Sequence, residues 1–151
     1  YAGKKSAVAI TESMMNLKVS DFQSSPVIVS ENMSVYEAIL HMFSEDVGTL
    51  FVGDKHECLQ GVLSGKDLLR TSIGSQDLNK IPVHIIMTRM PNIAYCTNEE
   101  SLIKAANKLI EREIDSLPVV KETEYGPKIV GRLTKTSITR AFISLAETSE
   151  L

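Results

Sequence analysis

Two stretches of this chain place a hydroxyl at the start of a helix and a second polar side chain three residues later. Gly61–Leu69 reads G-V-L-S-G-K-D-L-L, and about 70 residues on Gly131–Ile138 reads G-R-L-T-K-T-S-I. In each, a short β-rich run reaches a Gly, two residues intervene, and a hydroxyl (Ser64 or Thr134) opens a helix. Asp67 lies one helical turn beyond Ser64. A hydroxyl and a carboxylate projecting together from a first helical turn can share hydrogen bonds with the two hydroxyls of a ribose. The free backbone N–H groups at that helix end also favour an anion nearby. The same pair makes a capping box that needs no ligand and contributes about 1 kcal/mol. Ser137 stands where the second copy would need its carboxylate. A hydrogen bond to a charged group is worth roughly 1.5–3 kcal/mol against 0.5–1.5 for a neutral one. The Thr134–Ser137 corner is therefore expected to bind about tenfold more weakly, to be empty, or to fit a different ligand.

Other chemistry is sparse. His41, His56 and His84 are not at metal-ligand spacing, so no metal site is expected. No Ser-His-Asp set, phosphate-cradling G-x-x-x-x-G-K-[ST] loop or paired carboxylates point to catalysis, and the chain reads as a non-enzyme. Cys58 and Cys96 lack C-x-x-C spacing and read as reduced, half-buried thiols. With a formal net charge of −3 and scattered Lys and Arg, the segment itself is a poor nucleic-acid binder. Tryptophan is absent and there are four Phe and four Tyr, too few for base-stacking platforms. No apolar run spans a membrane and no signal-peptide pattern appears, so a cytoplasmic location is expected. The chain opens at Tyr1 rather than Met, which suggests a piece of something longer.

The elements that position the two corners also come twice. A helix over 6–17 places Ala7, Ile10, Met14 and Leu17 on one side. Pro26–Val29 reads as a strand. Ser34 and Glu37 form a capping box ahead of a helix whose Val35, Ala38, Ile39, Met42 and Phe43 make one apolar stripe. Thr49–Val52 and Leu59–Leu63 are strands, and the helix opened by Ser64 runs to Ser72. In the second copy Ile93–Cys96 is a strand. The next helix opens near Asn98 and carries Leu102, Ala105, Ala106, Leu109 and Ile110 at the same five offsets. Leu117–Val120 and Lys128–Leu133 are strands flanking a loop at Gly126–Pro127, and Thr134 opens the last helix. Three short strands per half bury too little surface for either to stand alone. The expectation is an α+β fold of two βαββα repeats, related by a pseudo-two-fold axis, with sheets and helices packed about a shared cleft. The Met residues read as core filler.

This order, with G-h-h-[S/T]-x-x-[D/N] opening a helix in each half, resembles a tandem pair of cystathionine-β-synthase (CBS) domains over about Leu17–Ala146. Gly61–Asp67, Ile86-Met87-Thr88 and Asp115–Val120 carry the likeness. The resemblance implies a regulatory module that binds AMP, ADP, ATP or S-adenosylmethionine, commonly as a dimer of pairs. It also implies boundaries: 1–17 a linker or helix from an upstream domain, 18–72 the first repeat, 73–82 a connector, 83–151 the second. The runs K-V-S-D-F-Q-S-S-P, E-D-V-G-T-L-F-V, V-H-I-I-M-T-R-M-P-N-I and G-R-L-T-K-T are further similar to the C-terminal part of CcpN-type repressors of gluconeogenic genes. In that family a helix-turn-helix unit absent from this sequence binds the DNA. The alternative is a CBS pair serving an enzyme or an ion transporter.

By this resemblance Ser64, Asp67, Thr134 and Ser137 are the ribose-binding positions. The family's phosphate-binding cations often precede the second strand of a repeat. Here Val47-Gly48-Thr49 and Ile114-Asp115-Ser116 supply none, and Asp115 would repel a triphosphate unless Mg²⁺ lay between them. Lys66, Lys135 and Arg89 remain as phosphate candidates, Arg89 foremost because a guanidinium matches phosphate geometry. Thr88, Gln23 and Thr49 are candidates for lining the adenine or phosphate pocket.

Overall fold

The structure, a computed structural model, describes residues 7–74 and 77–148. Contacts between Cα atoms divide the chain into two units, neither continuous in sequence. One comprises Pro26–Ile93 and Val120–Val130; the other comprises Tyr1–Ser25, Ala94–Val119 and Gly131–Leu151.

In the first unit, β1 (Ile28–Ser30), α2 (Val35–Glu45), β2 (Thr49–Gly53), β3 (Leu59–Ser64) and α3 (Gly65–Ser72) follow in order, after α1 (Ala7–Asn16) of the other unit. A short β4 (Thr88–Arg89), unforeseen from sequence, completes a sheet ordered β1-β2-β3-β4. β1 runs parallel to β2, as a helical crossover requires, and the other neighbours are antiparallel. Leu50, Val52 and Leu63 from the sheet pack with Val35 and Ala38 of α2, Leu68 of α3, and Val83 and Met87. Ser34 caps α2 by accepting the Glu37 N–H at 3.1 Å, so half of the expected capping box forms. Phe43, expected in the α2 stripe, is instead exposed.

In the other unit α1 packs against α4 (Leu102–Arg112) and α5 (Lys135–Thr148). The side chains of Ala7, Ile10 and Met14 lie outside the described residues. β5 (Ser116–Thr123) and β6 (Gly126–Thr134) pair with each other, and both pass from one unit into the other. Leu102, Ala105, Leu109, Leu117, Val119, Leu133 and Ala141 are buried in the second unit.

Three expectations are corrected here. Ile93–Cys96 is not a strand: Cys96 makes a single parallel bridge to Val119. The neighbouring Pro118 has no N–H to extend a ladder, and the Tyr95 carbonyl accepts from Lys108 Nζ at 2.7 Å instead. Next, α4 starts later than Asn98. Ser101 caps it, accepting the Lys104 N–H at 3.2 Å, because the Asn98 and Glu100 carbonyls are taken by Ser20 and Val19 N–H groups. Finally, Gly126–Pro127 belongs to β6, with the turn at Glu124–Tyr125 and Gly126 at φ +116°. Ile110, like Phe43, leaves its predicted stripe for the surface.

Candidate functional site

β3 alternates strictly, with Leu59, Gly61 and Leu63 buried and their neighbours half-buried. That alternation carries the chain to Ser64 at the edge of the core, where α3 begins. Gly61 is needed there because β4 crosses close by. A Cβ would collide with the Met87 side chain and stand 2.9 Å from the Thr88 carbonyl oxygen. At the far end the Gly65 N–H donates to the Gly48 carbonyl at 3.1 Å, and Thr49 lies directly across from Ser64. An added Cβ at Gly48 would meet nothing within 4 Å, so the backbone opposite the helix start faces open space.

Within this corner Ser64 and Asp67 are joined three ways. The Asp67 N–H donates to Ser64 Oγ at 3.2 Å. The Ser64 N–H and Ser64 hydroxyl both donate to Asp67 Oδ2, each at 3.0 Å. This is a complete capping box. It uses one carboxylate oxygen twice and leaves Oδ1 without a protein donor among the described residues. The corner thus combines a cap with a spare charged acceptor.

The Thr134–Ser137 corner in the other unit pairs two neutral hydroxyls. The Ser137 N–H donates to Thr134 Oγ1 at 3.1 Å and the two hydroxyls lie 3.0 Å apart. With no carboxylate, nothing there holds a fixed negative charge. Next to it Lys135 pairs with Asp115 at 3.2 Å, both largely exposed. Lys135 and the carboxylate expected to repel phosphate therefore neutralise each other, a pairing whose one-residue members gave no sequence signal.

The remaining candidates are spread out. Ser64, Asp67 and Thr49 lie together at the α3 corner, and Lys66 follows, exposed, in the first turn of α3. Thr88 and Arg89 are exposed on β4, paired beside Val62 and Gly61 rather than beside Ser64. The Arg89 guanidinium donates to the His84 carbonyl, which occupies part of its fork. Gln23 lies over Gly131, where an added Cβ would collide with its side-chain oxygen. That Oε1 is buried without a partner among the described residues, as is Asn98 Oδ1 in the same unit. Of these two amides Gln23 is a pocket candidate by the resemblance, whereas Asn98 does not stand out in the sequence as a site residue. Beside Gln23, Ser24 and Arg132 exchange backbone hydrogen bonds of 2.8 Å.

Neither thiol is presented as a nucleophile. Burial pushes the Cys96 thiol from 9.0 up to about 12, with Glu100 adding to the rise and Lys108 opposing it. Cys58 is buried, with its sulfur 3.9 Å from Thr123 Oγ1. No cluster of three His, Cys, Asp or Glu suited to a metal ion occurs among the described residues. None of the described helices is long and apolar enough to cross a membrane.

A family model of the CBS domain matches residues 19–74 and 83–144. The chain belongs to the CBS-domain family. This CBS pair is 54% identical over 147 residues to the transcriptional repressor CcpN of Bacillus subtilis (strain 168), covering 97% of this chain and 69% of that protein. It is 33% identical over 103 residues to the CBS domain-containing protein CBSCBSPB1 of Arabidopsis thaliana, covering 67% of this chain and 18% of that protein. Among solved structures, the CBS domain pair of protein MJ0100 in complex with 5′-methylthioadenosine and S-adenosyl-L-methionine is similar at TM-score 0.72 and 27% identity, over 84% of this chain and 96% of that one. CBSX2 in complex with AMP is similar at TM-score 0.72 and 28% identity, over 86% and 98%. The α+β fold of the CBS pair is the fold of these structures.

Proposed function

We propose that this CBS pair is the ligand-sensing part of a transcriptional repressor and that it binds an adenine nucleotide through its ribose at the Ser64–Asp67 corner. The observation that carries the reading is the unspent Asp67 Oδ1 beside Ser64 Oγ, with open space at Gly48 across from the helix start. Identity of 54% to a repressor, and similar pairs holding AMP or S-adenosyl-L-methionine, support it. The nucleotide would be AMP, ADP or ATP. The neutral Thr134–Ser137 corner would contribute a second, weaker place or none. The protein would act in the cytoplasm as a homodimer, reaching DNA through a helix-turn-helix unit attached upstream, and would catalyse nothing. Nucleotide would favour one packing of the chain over another, and that difference in affinity would be passed to the attached unit. A thermal-shift panel of AMP, ADP, ATP and S-adenosylmethionine tests this. A ligand at 100 times its Kd should add about 2.7 kcal/mol of stability. No shift with any of them at millimolar concentration refutes the sensing role.

A further inference from the structure

One arginine of this chain is placed unlike the others. Arg70, Arg89, Arg112 and Arg140 are exposed, whereas Arg132, in β6, is half-buried. Taking a cation part-way out of water costs free energy unless an anion meets it. No carboxylate does so among the described residues: their ion pairs are Lys108–Glu100 and Lys135–Asp115, and neither involves Arg132. The Arg132 Nε–H donates to Ser24 Oγ at 3.4 Å, and the two backbones exchange bonds of 2.8 Å in each direction. Ser24 therefore orients the head group. A guanidinium carries five N–H donors. The four on the two Nη atoms have no protein acceptor among the described residues.

These free donors lie beside hydroxyls. β6 alternates, with Ile129, Gly131 and Leu133 buried and Val130, Arg132 and Thr134 half-buried. Arg132 and Thr134 hence leave the strand on the same side, their Cα atoms roughly 7 Å apart. Thr134 Oγ1 and Ser137 Oγ lie 3.0 Å apart, and whichever donates, the other hydroxyl keeps its proton for a third group. The first corner is charged the opposite way. Counting from Gly61 and Gly131, Val62 stands where Arg132 does, Ser64 where Thr134 does and Asp67 where Ser137 does. One corner has a carboxylate on its helix and an apolar residue on its strand. The other has a cation on its strand and a hydroxyl on its helix.

We propose that the Arg132–Thr134–Ser137 corner is an anion site that takes a phosphate group, in place of the ribose that the resemblance assigns to it. A phosphate accepts two parallel N–H bonds from one edge of a guanidinium and keeps further oxygens for a hydroxyl. A ribose diol would find a cation there and no charged acceptor. The stem of Arg132 also covers apolar surface, but a methionine would do that equally well and would leave no unspent donors. The inference concerns other residues than the Ser64–Asp67 reading, so the two fail separately.

The test follows the melting temperature of the intact chain as inorganic phosphate is added, against sodium chloride at equal ionic strength. Phosphate should raise it beyond the chloride control. Arg132→Met keeps the stem and should raise the half-saturating phosphate concentration by at least about tenfold. Arg132→Lys keeps the charge without the fork and should fall between the two; it carries the comparison if Arg132→Met does not fold. Asp67→Ser should respond as the wild type does. A wild-type chain that gains nothing over chloride, or arginine variants that gain as much as wild type, would overturn the site. Loss of the response in Asp67→Ser would move the anion to the other corner and overturn it as well. Calorimetric titration of AMP and adenosine tells the two sources of phosphate apart. AMP weakened by Arg132→Met while adenosine is not identifies a phosphate ester as the ligand, and both unchanged identifies the free ion; either upholds the site.

Discussion

Replacing Asp67 by Ser separates the two roles its carboxylate could have. The substitution gives the first corner a hydroxyl pair like that of the second, where Thr134 and Ser137 still make a cap with bonds of 3.0 and 3.1 Å. The apo protein should therefore lose only part of a capping box, about 0.5–1 kcal/mol. For a chain of this size that is a fall of roughly 1–4 °C in Tm. The ribose contact should lose more. Exchanging a charged acceptor for a neutral one removes about 1–1.5 kcal/mol, or roughly tenfold in Kd. Differential scanning calorimetry reads the first quantity and isothermal titration with AMP the second. A reduced apo Tm with unchanged nucleotide affinity would mean that Asp67 caps α3 and does nothing else, and the ribose assignment would be wrong.

Gly61→Ala should destabilise the chain by about 1–3 kcal/mol in urea titration, because its Cβ meets the Thr88 backbone at 2.9 Å as well as a movable Met87. Wild-type stability would show that β4 is not held this close. Lys108→Met removes bonds of 2.7 Å to the Tyr95 carbonyl and 3.0 and 3.1 Å to Glu100. It should cost about 1–2 kcal/mol and expose the Ala94–Cys96 amides to faster hydrogen exchange; exchange unchanged there would contradict it. The raised Cys96 pKa predicts alkaline loss of stability. The unfolded thiol ionises near 9.0 while the folded one holds its proton to about 12. Between those values the unfolded state binds fewer protons, so stability should fall by up to about 1.4 kcal/mol per pH unit. In Cys96→Val that slope should flatten in pH-dependent denaturation; an identical slope would place the titration elsewhere.

The strand-to-helix corners were legible because their signals are local. An alternating β-rich run, the Gly within it and a hydroxyl three residues before a carboxylate all lie within nine residues of one another. What escaped depended on residues far apart in sequence. The Ile-Ala-Tyr-Cys run at 93–96 reads as a strand until Lys108, on a helix, claims the Tyr95 carbonyl. The late start of α4 follows from backbone bonds between Ser20 and Asn98 and between Val19 and Glu100, which no helix-start signal encodes. Phe43 and Ile110 fit an apolar stripe by spacing, yet eight residues at 3.6 per turn set them roughly 80° round from Val35 and Leu102. Periodicity cannot tell the edge of a stripe that packs inward from one left for another surface. At the candidate site, the Lys135–Asp115 pair brings together residues twenty apart with no motif between them, and it engages a cation that the resemblance offers to phosphate.

The most direct measurement is a crystal structure of the chain grown with AMP. The account predicts ribose O2′ and O3′ within about 3.2 Å of Asp67 Oδ1 and Ser64 Oγ. A nucleotide bound with its ribose on other side chains, and Asp67 Oδ1 still turned to solvent, would contradict it.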